Sequence, residues 1–149
     1  MIKTYYSYEE CQNDSKILLE QLKQYNPDAI VAVARGGLTL AHLLSYGLEI
    51  REVYSLNSVH YDNETKLDTI EISNIPDLER FKKVVVIDDI VDSGETIEAV
   101  LSELKTRFKN TDFKSAVIFY KTDAKLQPDF KVKEALNWID FFWEVDLEK

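Results

Sequence analysis

Three uninterrupted apolar runs punctuate the chain: Ala29–Ala34 (Ala-Ile-Val-Ala-Val-Ala), Val84–Ile87 (Val-Val-Val-Ile) and Ala116–Tyr120. Short runs without polar alternation are the pattern of strands covered on both faces, as in a parallel sheet. Between them apolar residues recur at helical spacing, Cys11, Leu18, Leu22 and Tyr25 in one stretch and Ile97, Val100, Leu101, Leu104 and Phe108 in another. Ser7 and Glu10 have capping-box spacing ahead of the first helix, and Asn26-Pro27 ends it. Leu38–Tyr46 reads as a second helix closed by Gly47, and Glu95 to about Phe108 as a third. Val53–Val59 reads as a further strand and Thr69–Ser73, which alternates weakly, as an edge strand. His60–Asp68 is polar and aperiodic, the pattern of a loop, and Asp77–Lys82 has no decisive period. The tail from Pro128 is short-stranded and aromatic. Apolar strands alternating with helical patterns predict an α/β fold, a mainly parallel central sheet flanked by helices. No repeat, low-complexity tract or linker divides residues 1–149, so one domain is expected.

In such sheets ligands bind beyond the carboxyl ends of the strands. Three groups fall there: Arg35-Gly36-Gly37, Asp88–Thr96 and Lys121. Composition narrows what they can serve. With 45% hydrophobic and 30% charged residues the chain has the balance of a globular domain. The single cysteine, Cys11, excludes an internal disulfide framework and a Cys-rich zinc site, which suits a reducing compartment. His42 is expected on a helix and His60 in a loop, neither with a suitably spaced second ligand for a metal. Neither a signal-peptide pattern nor an apolar stretch of membrane-spanning length is present, so a cytoplasmic protein without an integral membrane segment is expected. The net charge of −9 and the lack of a Lys/Arg cluster argue against a nucleic-acid partner. The same charge repels a polyanionic ligand at long range. A phosphate site must then be built locally, from backbone N–H groups, a few cations and a metal.

Val84–Thr96 has the parts for one: an apolar strand, the acidic pair Asp88-Asp89, and a small-residue turn opening a helix. A helix start offers free N–H groups and partial positive charge to a phosphate. Gly94 permits close backbone approach, and Ser93 and Thr96 add hydroxyl donors. The dipole contributes only about 0.3–1 kcal/mol, so charge-assisted N–H bonds must supply the rest. Two carboxylates beside a phosphate make sense if the ligand also carries vicinal hydroxyls and a metal. Asp88 and Asp89 then accept from two ribose hydroxyls, directly or through Mg2+, and favour positive charge developing on the sugar. An ordinary strand–turn–helix with Asp92 or Ser93 as N-cap accounts for one polar residue here, but not for the acidic pair followed by Ser-Gly-x-Thr.

This run resembles the phosphoribosyl pyrophosphate (PRPP) signature of type I phosphoribosyltransferases. The resemblance implies that family's fold, with a small C-terminal hood formed mainly by 122–149. Asp88 and Asp89 would contact the ribose, Asp89 also Mg2+, directly or through water. Asp92, Ser93, Gly94, Glu95 and Thr96 would cradle the 5′-phosphate, with the Glu95 side chain turned away. Arg35, Gly36 and Gly37 occupy the place of the pyrophosphate loop. Lys121, followed by Trp138-Ile139 and then Trp143-Glu144, resembles the small bacterial xanthine-guanine enzymes. By that resemblance Lys121 donates to O6 of a 6-oxopurine, Asp92 takes the N7 proton, Trp138 stacks on the ring and the Ile139 carbonyl faces position 2. Phe142 departs from that pattern, where Pro is expected. His60–Asp68 fits a closing loop, with Lys66 reaching pyrophosphate. The expected function is purine phosphoribosyl transfer by a homodimer or homotetramer using PRPP, a 6-oxopurine and Mg2+. A non-catalytic PRPP or nucleotide sensor on the same fold is the alternative. A response-regulator receiver fits worse, because receivers carry their acidic pair after the first strand.

Overall fold

The computed structural model of the chain describes residues 1–61 and 69–149. Strand β1 (Lys3–Tyr6) leads into helix α1 (Tyr8–Tyr25), and Ser7 caps it as its spacing predicts. The Glu10 N–H donates to Ser7 Oγ at 3.1 Å, and the Ser7 N–H donates back to Glu10 Oε2 at 2.8 Å. That backbone bond holds the Glu10 carboxyl below its ordinary range. Asn26 ends the helix in the left-handed region, φ 57°.

The central sheet consists of β2 (Ala29–Ala34), β3 (Val53–Tyr61), β4 (Thr69–Ser73), β5 (Lys83–Ile87) and β7 (Asp112–Ala116), in the order β4-β3-β2-β5-β7. All pairs are parallel except β3–β4, so β4 is the antiparallel edge strand. The unbroken apolar runs are explained by cover on both faces. Ile30, Ala32, Val85 and Ile87 pack against α1 and α2 (Leu38–Leu48) through Leu18, Leu22, Leu40 and Leu44. Their neighbours Val31, Val33, Val84 and Val86 face the opposite way, against Ile97, Val100, Leu101 and Leu104 of α3 (Glu95–Arg107). Leu78 and Phe81, from the segment without a period, are buried in that second layer.

Four elements differ from the sequence expectation. Helix α2 runs through Gly47 to Leu48 and stops at Glu49, φ 56°. Gly47 instead permits close helix packing, since a Cβ there would lie 2.9 Å from the Leu19 methyl. The run Ala116–Tyr120 is not one strand. The Ile118 and Phe119 N–H groups both donate to the Asp89 carbonyl, at 3.3 and 3.2 Å, a two-against-one pairing that bends the chain. Beyond the bend, β8 (Phe119–Tyr120) joins β6 (Ile90–Val91) and β9 (Lys133–Glu134) in a separate sheet. Strand β3 includes His60 and Tyr61, paired with Ile70 and Thr69, so His60 is a strand residue. The remainder of the expected loop, 62–68 with Lys66, lies outside the described residues.

The fourth difference is β1 itself, which has no alternation to announce it because only Tyr6 is buried. It pairs in parallel with β10 (Trp138–Phe141), joining the two ends of the described chain. Ser7→Ala should lower unfolding free energy by about 1 kcal/mol in urea titration, leaving the m-value unchanged. A midpoint equal to the parent's would show that the capping box adds nothing.

Candidate active site

After β5 the chain passes through Asp88 and Asp89, β6 and a tight turn into α3. Gly94 sits in that turn at φ 90°, a conformation other residues adopt only under strain. Its missing side chain also leaves room for the 125–126 segment, since a Cβ would lie 2.8 Å from the Leu126 nitrogen. The Ser93 carbonyl accepts from the Lys125 N–H at 2.9 Å, and Ser93 Oγ accepts from the Glu95 N–H at 3.2 Å. The turn is thus held from both sides. It encloses a cavity of about 220 Å3 lined by Asp88 to Gly94, Thr96 and Ile97. Glu95 is exposed and absent from that lining. A cup at a helix start, edged by hydroxyls, suits a phosphate group.

Asp88 and Asp89 are half-buried at the strand end. The Asp89 N–H donates to Asp88 Oδ1 at 2.8 Å. Burial raises the Asp88 carboxyl well above its ordinary value, and the Asp89 carboxylate pushes it further. Burial also raises Asp89, opposed by hydrogen bonds from Asp88 and the backbone. The pair therefore favours ligands that bring hydroxyl donors or positive charge.

Arg35, Gly36 and Gly37 follow β2, the neighbour of β5, after a cis Ala34–Arg35 peptide. A Cβ on Gly36 would lie 2.5 Å from Asp89 Oδ2. One on Gly37 would run into the Ile87 carbonyl. The two loops are therefore in direct contact, and glycine is what the spacing tolerates. Lys121, just past β8, places Nζ 2.9 Å from Asp92 Oδ1, and that bond raises its pKa. The Lys121 N–H also donates to the Val91 carbonyl at 3.0 Å.

The aromatic tail does not form one flat face. Trp138 stands on the open side of β10, 58% exposed, while the Ile139 side chain enters the core. Trp143 stacks on Phe141 with centroids 4.7 Å apart. Phe142, at the position where Pro is expected, packs edge-on against Tyr8 and Trp143 at 5.7 and 5.0 Å.

Sequence reasoning assigned no role to Glu144. Its carboxyl is raised by burial and then by Asp89 and Asp140, and is held down by Arg35. Charges of both loops thus act on the tail carboxyl. An acid in an aromatic segment otherwise reads as a solvated residue. Gly37→Ala should destabilise the protein by about 1–3 kcal/mol, because its methyl meets backbone rather than a movable side chain. Denaturant midpoints measure this, and an unshifted midpoint would contradict the close loop contact.

Residues 4–149 match the family model described as phosphoribosyl transferase domain. The Helicobacter pylori xanthine-guanine-hypoxanthine phosphoribosyltransferase structure is 45% identical, with a TM-score of 0.92, covering 99% of this chain and 97% of that one. A purine phosphoribosyltransferase structure from Pyrococcus horikoshii is 32% identical, with a TM-score of 0.85, covering 98% and 96%. The xanthine-guanine phosphoribosyltransferase of Cereibacter sphaeroides is 28% identical over 151 residues, 95% of this chain and 87% of the relative. With residues 4–149 matching the family model and the fold shared along nearly the whole chain, the chain belongs to the phosphoribosyltransferase family.

Proposed function

We propose that this protein transfers the 5-phosphoribosyl group of PRPP to N9 of guanine, xanthine or hypoxanthine. The products are the nucleoside monophosphate and pyrophosphate, a purine-salvage reaction. The observation that carries this is the contact of the Gly36–Gly37 loop with Asp89, flanked by the Asp88–Thr96 cup and the Asp92–Lys121 pair. These three groups match the three parts of the reaction: leaving pyrophosphate, sugar phosphate and base.

In this reading Asp92, Ser93, Gly94, Glu95 and Thr96 hold the 5′-phosphate, with Glu95 contributing backbone only. Asp88 and Asp89 accept the ribose hydroxyls and stabilise an oxocarbenium-like transition state. Arg35, Gly36 and Gly37 receive the pyrophosphate. N9 bonds to the anomeric carbon as the bond to pyrophosphate oxygen breaks, and that electron pair leaves with pyrophosphate. Asp92 takes the N7 proton as general base. Lys121, already beside Asp92, donates to O6. Trp138 stacks on the purine, and the Ile139 carbonyl faces position 2. Lys66 is assigned to pyrophosphate by its place in the sequence.

Among the described residues no group of three or more His, Cys, Asp or Glu side chains can hold a metal by itself. That fits Mg2+, which is ordinarily held by one or two carboxylates together with waters and substrate phosphates. Asp89 would hold it, directly or through water, with the raised carboxyl of Glu144 nearby. Bound Mg2+ neutralises the charge of the leaving pyrophosphate.

The domain is single, with 122–149 as its hood, and the protein is cytoplasmic. Among the described residues no helix is long and apolar enough to cross a membrane. A homodimer or homotetramer is supported by exposed Leu38, Tyr46 and Val53 around a groove of about 760 Å3 between α2 and β3.

A spectrophotometric assay with PRPP, Mg2+ and guanine, xanthine, hypoxanthine, adenine and uracil tests the assignment. Turnover of 6-oxopurines at least about 100-fold above adenine is expected, because a hydrogen-bonding site rejects mismatched edges strongly. Equal turnover of adenine would remove Lys121 from base selection, and PRPP binding without turnover of any base would make the protein a sensor. Asp92→Asn should lower kcat about 100-fold or more while the KM for PRPP stays within about twofold. An unchanged kcat would take Asp92 out of the chemistry.

A further inference from the structure

Tyr6 of β1, Asp14 of α1 and Lys133 of β9 meet at one carboxylate oxygen. Tyr6 Oη donates to Asp14 Oδ2 at 2.7 Å, and Lys133 Nζ approaches the same oxygen at 2.8 Å. The Asp14 side chain is only 9% exposed, and Tyr6 only 1%. A buried carboxylate is costly unless paired and hydrogen-bonded, so this oxygen fixes where both donors must stand. Burial first, then the bond to Asp14, pushes the Tyr6 phenol far up, so its hydroxyl remains a donor.

Each partner of Asp14 is tied to the expected base subsite. Tyr6 lies opposite Phe141 in the β1–β10 pair, which sets Lys3 opposite Trp138 and Thr4 opposite Ile139. Its carbonyl accepts from the Phe142 N–H at 3.0 Å, and its ring stands edge-on to Phe119, Phe141 and Trp143. A slip of one residue would turn Trp138 inward and Ile139 outward. Lys133 lies opposite Phe119 in the β8–β9 pair, two residues before Lys121 in the chain. Its N–H donates to the Ile118 carbonyl at 2.9 Å.

We propose that Tyr6, Asp14 and Lys133 are positioning residues for the base, locking β10 in the register that keeps Trp138 on the open face while holding β8 and Lys121 against it. This rests on the transferase reading above. None of the three touches substrate. The phosphate cup and the glycine loop extend from β5 and β2 of the central sheet, and β8 meets the cup only through backbone bonds to Asp89 and β6, so the lock acts mainly on base binding and the KM for PRPP changes less.

Steady-state kinetics of Lys133→Met, Lys133→Arg and Tyr6→Phe test it in the full-length protein. Lys133→Met keeps the aliphatic stem and loses the charge; Tyr6→Phe keeps the ring and loses the donor. Both should raise the KM for guanine about tenfold or more, as small displacements of substrate-positioning groups do. The KM for PRPP should stay within about twofold, and Lys133→Arg should bring the guanine KM back to within about threefold of the parent. Amide hydrogen exchange in 138–141 should quicken in Lys133→Met. An unmoved guanine KM in both variants, with an active parent, overturns the inference. So does a parallel rise of both KM values, or the loss of folded protein in both variants, since the cluster would then serve stability alone. A parent inactive on every base sinks the transferase reading, and this inference with it.

Discussion

The site depends on two loops lying too close for side chains to separate them. Gly36 touches the Asp89 carboxylate and Gly37 the Ile87 carbonyl, so the ends of neighbouring strands β2 and β5 form one surface. That surface carries the glycine loop with Arg35 on one side and carboxylates on the other, at a spacing set by the sheet. A parallel sheet delivers this geometry cheaply, because adjacent strands end at the same level and point the same way. A methyl at either glycine would part the loops and with them the two halves of the ligand they are suited to hold.

Charge poses the next constraint. The chain carries −9, yet the family it belongs to handles a highly phosphorylated sugar. Attraction at long range cannot be the means. The features available for such a ligand are local: a left-handed glycine turn at the start of α3, the cation of Arg35 beside the glycine loop, and Lys121 paired to Asp92. The adjacent carboxyls of Asp88 and Asp89 are raised by burial, a state that a cation or hydroxyl donors relieve.

Much of this was legible from residue order. The parallel core could be read because Ala29–Ala34 and Val84–Ile87 are short runs, apolar on both faces and rich in β-branched residues, the pattern of doubly covered strands. The Asp88–Thr96 turn was legible because an acidic pair followed by Ser-Gly-x-Thr has no ordinary structural use. What escaped was set by long-range contact. The break after Ala116 comes from the Asp89 carbonyl taking two donors, which no local pattern encodes. Gly47 looked like a helix stop, although its role is to admit Leu19 from another helix. Strand β1 has a single buried residue, and its partner lies more than a hundred positions away. Glu144 likewise depends on groups remote in sequence, its carboxyl raised by burial and by Asp89 and held down by Arg35.

The parallel pairing of β1 with β10 also orders events in time. Residues 3–6 are made more than a hundred positions before their partner at 138–141, so the central sheet can assemble while this edge still waits. Closing so large a loop carries an entropic cost that nearby contacts do not share. The segment bearing Trp138 is accordingly ordered after the central sheet, and a partly made chain would own the cup at Asp88–Thr96 before it owned the strand that carries Trp138.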